Sequence, residues 1–174
     1  YNMITDFIND GESYPAVGIS FGLSSIFEIL KNREEFKDRS LIDCLFEAVN
    51  QTFNFMAQKA GRLKEYKFGF ISTLHTFGRD IKFNPHLHVL VAECIIDRNN
   101  HVKTFNHFHY ELMRKSFQKT LLDLLTKRIN TTEFRHIKNI IYKESNQGFY
   151  VYGPPVQAKD SNDSKELVRY VVRY

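Results

Sequence analysis

The chain has little cysteine. Cys44 and Cys94 are the two it carries in 174 residues, too few and too far apart for a zinc knuckle or a disulfide framework, so they are expected as buried thiols in a reducing compartment. It has no apolar run long enough to span a bilayer, and nothing at its N-terminal end has the layout of a signal peptide; a soluble, cytoplasmic protein with no membrane partner is expected. Internal repeats and low-complexity stretches are absent as well, which excludes a repeat architecture. What is present is a composition that folds. Hydrophobic residues make up 43% of the chain, and the length suits one domain, 1–174, with a proper core. Lysine and arginine number 24 against 20 aspartate and glutamate, a formal charge of +4 that favours an anionic partner such as nucleic acid without demanding one. The sequence opens on Tyr1 rather than methionine and stops at Tyr174 inside a helical pattern, as expected of a piece of a longer protein.

Periodicity divides the chain into strands and helices. "YPAVGISFGLSS", residues 14–25, sets β-branched and aromatic residues between turn formers and predicts a strand, with Ser24 or Ser25 able to cap a short helix after it. From Ser40, the residues Leu41, Cys44, Leu45, Ala48, Val49, Thr52, Phe55 and Met56 share one helical face, predicting a helix to about Lys59 that the Gly61 region ends. Two aromatic and β-branched strands follow, over 66–77 and about 86–96. The turn-forming "DRNN" tract then brings "HVKTF", residues 101–105, back as a hairpin partner. Helices are predicted over 109–129 and 132–143, the second capped by Thr131 or Thr132, before a strand "GFYVYG" and a Pro-containing polar loop. A last helix, "SKELVRYVVRY", covers 164–174. Without strict βαβ alternation and with hairpins in view, the fold class is α+β: one mostly antiparallel sheet with helices packed on it.

Chemistry concentrates in "FNPHLHVLVAECII", residues 83–96. Residues i and i+2 of a strand project from the same face, so His86 and His88 point one way while Leu87, Val89 and Val91 point the other. Two imidazoles on one rigid face can share a metal ion if a third group arrives from elsewhere; the same rings could also serve as hydrogen-bonded residues at a strand entrance. The predicted last helix places Tyr170 and Tyr174 one turn apart on one face. Such a pair can be plain packing, or phenols that attack a phosphodiester and conserve its energy in a covalent phosphotyrosine. A phenol of pKa about 10 is a weak nucleophile unless an ion polarises the phosphate.

"TLHTFGRDIKFNPHLHVLV", together with "ELVRYVVRY" after a strand and the Pro loop of "FYVYGPP", resembles the two-tyrosine HUH transposases. These are the rolling-circle insertion-sequence family, related in chemistry to Helitron and plasmid replication-initiator nucleases. The order of elements is similar too, from the early strand to the tyrosines, so the resemblance covers most of the chain as a single HUH-type catalytic domain with an HUH/Rep-like nuclease fold. It implies that His86 and His88 bind the metal, Mg2+ or Mn2+. It further implies that Tyr170 and Tyr174 are nucleophiles, and that the protein nicks and joins single-stranded DNA at mobile-element ends through a 5′-phosphotyrosine. A bacterial setting beside the nucleoid goes with that activity. HUH sites usually take a third protein ligand; His75 in the neighbouring "TLHTF" strand is expected to supply it, with Glu93 and Asp80 as weaker candidates. Two departures stand out: "AECIID" continues the apolar run where the family commonly turns through glycines, and the cysteine-rich zinc segment usual upstream is missing from this sequence.

Basic residues near aromatics, Arg114, Lys115 and Lys119 beside Phe117 and Arg169 and Arg173 beside the tyrosines, are candidates for gripping DNA phosphates, although such charges also make ordinary solvated helix faces. A second H-x-H, His107 and His109, sits where a hairpin gives way to a helix, so its rings should diverge and serve a surface or DNA-contacting role. Two other functions fit the same residues: a plasmid replication initiator or relaxase, and a non-catalytic nucleic-acid-binding derivative.

Overall fold

A computed structural model of the chain describes residues 16–23, 39–61, 65–77, 83–105 and 107–153. In chain order these form β1 (Ala16–Gly22), α1 (Arg39–Gly61), β2 (Lys67–Phe77), β3 (Phe83–Ile96), β4 (Val102–Thr104), α2 (Tyr110–Ile129), α3 (Thr132–Glu144) and β5 (Tyr150–Tyr152). The sheet runs β2-β3-β1-β5, with β4 paired to the far end of β3. Every pairing is antiparallel, so the fold is α+β as the element pattern predicts. The expected helices after Ser24 or Ser25 and over 164–174 lie outside the described residues.

Alternation decides which face of the sheet is covered. Val17, Ile19 and Phe21 of β1, Leu87, Val89 and Val91 of β3 and Val151 of β5 are buried in one cluster with the helices. Their neighbours in sequence take the opposite face. Phe21 is the pivot: its ring meets Phe53 of α1 edge-on at 5.8 Å and Phe117 of α2 at 5.1 Å, geometry that adds to the area these rings bury. In α1 the buried stripe is Leu45, Ala48, Val49, Phe53, Met56 and Ala57. Phe53 takes the fully buried core position, and Phe55 packs against the core partly buried, with the Lys59 ammonium over its ring. Both cysteines are buried thiols outside any disulfide, and burial pushes each thiol pKa up. Among the described residues no helix is long and apolar enough to cross a membrane.

Local chemistry fixes the connections. In the β3–β4 turn the Asp97 carboxylate accepts from the backbone N–H of Asn99 at 2.8 Å and of His101 at 2.9 Å, and from the His101 ring at 3.0 Å. The hydrogen bonds from His101 hold that carboxyl down at about 2. Thr131 caps α3 as predicted, its hydroxyl accepting from Phe134 N at 3.1 Å. The return to β5 is pinned by α2: Gln118 donates to the Ser145 carbonyl at 2.8 Å and Arg114 Nε to the Val151 carbonyl at 3.2 Å. Between them Gly148 has φ +86° and lies so close to α2 that a Cβ would sit 2.5 Å from the Arg114 carbonyl carbon. Both the left-handed conformation and the contact exclude a side chain. Gly148→Ala is expected to destabilise the fold by about 2 kcal/mol or more, read as a lowered urea midpoint with unchanged slope.

Candidate metal centre

Two strands bring three imidazoles to one spot on the open face. His86 of β3 pairs with His75 of β2 on one side and Gly22 of β1 on the other; His88 pairs with Thr73 and Ser20. Directly paired residues share a face, so His75, His86 and His88 converge. Their ring centroids lie 4.3 Å (75 to 88), 5.0 Å (86 to 88) and 5.4 Å (75 to 86) apart. One ligand nitrogen from each can be chosen so that all fall within 4.8 Å of one another. The third histidine expected from the sequence is thus beside the first two. Glu93 is buried five residues further along β3 and is not part of this group, and Asp80 lies outside the described residues.

The neighbours orient the rings. His86 Nδ1 is 2.6 Å from the Asn84 carbonyl oxygen, which can only accept, so Nδ1 carries the proton and the lone pair sits on Nε2. Ser20 Oγ lies 3.2 Å from His88 Nδ1; donation from that nitrogen gives His88 the same tautomer. Such contacts on the far nitrogen are how proteins aim metal-binding imidazoles. Burial, with the neighbouring rings adding to it, lowers the pKa of His88 to about 4, and burial followed by His86 lowers that of His75. Those two rings are neutral at physiological pH, the state a metal needs. The donor set therefore fits a divalent ion. Three imidazoles favour manganese and the later transition metals over magnesium, whose preference is for oxygen.

The other expected site residues are placed differently. Arg114, Lys115 and Lys119 belong to α2, which packs on the opposite face of the sheet. Arg114 is engaged with β5, while Lys115 pairs with Glu111 at 2.6 Å and Lys119 with Asp123 at 2.7 Å. His109 caps α2, its Nδ1 accepting from Leu112 N at 3.3 Å, and His107 is exposed; the second H-x-H forms no cluster with the first. Tyr170, Tyr174, Arg169 and Arg173 lie outside the described residues. Ser20 and the Asn84 carbonyl were not singled out from the sequence, because their roles depend on strand register.

A protein-family model described as "Putative transposase" matches residues 69–174 of the chain, taking in all three histidines and both C-terminal tyrosines. The chain is also similar to a transposase for insertion sequence element IS801 from Pseudomonas savastanoi pv. phaseolicola, at 23% identity over 150 residues. That alignment covers 80% of this chain and 34% of the relative, so the chain spans about a third of the length of the protein it matches. No solved structure matches the chain.

Manganese at about a hundredfold excess over its Kd should stabilise the fold by about 2.7 kcal/mol, a rise in Tm of about 5–10 °C, and His86→Ala or His88→Ala should abolish the rise. In metal-free protein, His88 has a folded pKa of about 4 below its unfolded value of about 6.5. The unfolded chain therefore takes up the proton first as pH falls. The stability this ring contributes is complete above pH 6.5, declines as pH drops toward 4 and levels off below. Urea midpoints measured across that window should fall less steeply for His88→Gln than for the unmodified protein.

Proposed function

The chain belongs to the transposase family whose model it matches over residues 69–174, and from that premise we propose that it nicks and rejoins single-stranded DNA through a tyrosine. The observation that carries this reading is the cluster of His75, His86 and His88 on the open face of the sheet. A donor set of that kind has a use in phosphoryl chemistry: the divalent ion it would hold neutralises charge on the phosphate oxygens and polarises phosphorus toward attack.

The chain's own residues supply the remainder. The Oη of Tyr170 or Tyr174 forms a bond to phosphorus as the bond from phosphorus to the 3′ oxygen breaks. The phenol gives up its proton and the departing 3′ oxygen takes one, leaving a 5′-phosphotyrosine and a free 3′-hydroxyl. One phosphodiester is exchanged for another, so no nucleotide cofactor is needed. A second tyrosine permits a second transfer before the strand is released. Arg169 and Arg173, which flank the tyrosines in sequence, would counter the phosphate charge.

The test is to incubate the protein with end-labelled single-stranded DNA from an element terminus and manganese, then run a denaturing gel. A slow-migrating covalent adduct is expected, lost when Tyr170→Phe and Tyr174→Phe are combined and reduced by at least about a hundredfold in His86→Ala. An adduct that survives removal of both phenols defeats the assignment. DNA binding without any adduct identifies a non-catalytic derivative.

A further inference from the structure

The open face continues past the histidines to β5. Gly22 pairs with His86 on one side and with Tyr150 on the other, and Ser20 pairs in the same way with His88 and Tyr152. Two rows therefore cross the sheet, His75-His86-Gly22-Tyr150 and Thr73-His88-Ser20-Tyr152. The residues between the imidazoles and the phenols are a glycine and a serine, so nothing bulky separates them. A Cβ at Gly22 would lie 3.4 Å from the Tyr150 ring and 3.9 Å from His86 Cβ; any larger residue there would wedge between the two.

The two tyrosines are unlike the aromatics of the core. Phe21, Phe53, Phe117, Phe134 and Phe149 are fully buried, whereas Tyr150 is 48% and Tyr152 54% exposed. Their rings are nearly parallel, 20° between planes, with centroids 6.3 Å apart. That separation is within the range of offset parallel rings, so the pair offers bases an extended aromatic surface on the open face.

Resting on the nuclease reading above, we propose that Tyr150 and Tyr152 form a base-stacking subsite for single-stranded DNA, which sets the register of the strand against the histidine cluster. Three observations choose this occupant. The faces are aromatic and sequence-tolerant, the property by which single-strand binders hold bases. The subsite is continuous with the phosphate-activating cluster, two strand spacings or about 10 Å away, the length of about three stacked nucleotides. The sheet between them carries only the small residues Ser20 and Gly22, not a broad apolar patch of the kind that marks a protein interface.

The experiment uses the Tyr170→Phe, Tyr174→Phe protein, which can bind but not react, with fluorescein-labelled oligothymidine followed by fluorescence anisotropy. Changing Tyr150 and Tyr152 together to Ala should weaken binding by about 5- to 100-fold, while changing both to Phe should restore it, since stacking needs the ring and not the hydroxyl. Equal Tm values for the two variants show that the Ala form is folded. Strands carrying a single abasic position complete the test in reactive protein. One position, about two to four nucleotides from the nick, should cost affinity with the native tyrosines and be indifferent in the Ala variant. Unchanged binding by the Ala variant, or an abasic penalty that persists in it, overturns the subsite alone. No adduct, with position-dependent binding intact, overturns the nuclease reading and leaves the subsite standing. Absence of any binding to single strands overturns both.

Discussion

Everything at the candidate centre depends on strand register. His86 and His88 face the open side because Leu87, Val89 and Val91 must be buried, and His75 joins them because Leu74 stands opposite Leu87 in the pairing of β2 with β3. A slip of one residue in either strand would turn imidazoles toward Phe21 and Phe117 and expose leucines and valines. The hydrophobic core and the polar cluster are thus two readings of one alternation. The aromatic contacts of Phe21 with α1 and α2 hold the register that the histidines use, although none of those rings approaches a histidine.

The irregularities of the sheet matter as much as its regularity. β3 is a central strand that contains Pro85, which has no N–H to give to a ladder. The proline is accommodated because β1 pairing ends at His86 and the β2 register shifts between His75 and Phe77. In that break the Asn84 carbonyl turns from the ladder and accepts from His86 Nδ1. The interruption that lets proline into the strand therefore also fixes a tautomer. Burial acts in the same direction on His88, holding it neutral, so the rings are prepared for a cation before one arrives, at the expense of stability in mild acid.

Much of this was legible in the sequence, for identifiable reasons. Strands rich in aromatics and β-branched residues, the Thr131 cap, the turn at Asp97 and the H-x-H parity are local patterns, and each appears where it was expected. His75 needed the assumption that consecutive strands pair, together with the third protein ligand that the family resemblance implies. What could not be read depends on contacts between distant segments. β5 follows two helices yet lies beside β1, so nothing near Ser20 in sequence announces Tyr152 as its neighbour. Arg114 looked like a free cation because its partner, the Val151 carbonyl, is brought to it by that same long connection. His109 as a helix cap is a local role, but histidine is not among the usual caps, and so its pattern pointed elsewhere.

The short strand β5 joins these arguments. Three residues of ladder are too little to hold a strand by themselves, and α2 supplies the rest through Gln118, Arg114 and the close seat of Gly148. At its far end Gly153 is pressed against the Tyr110 ring, so the backbone leaves the sheet at a defined point. Under the proposed nuclease reading, the residues beyond that point bear the nucleophilic tyrosines, and those just before it bear the stacking phenols. The anchored element would then fix the distance from base to cluster. Loosening it at Gly148 should blur the position of the nick as well as lower the stability of the fold, because both are set by how firmly α2 holds the same few residues.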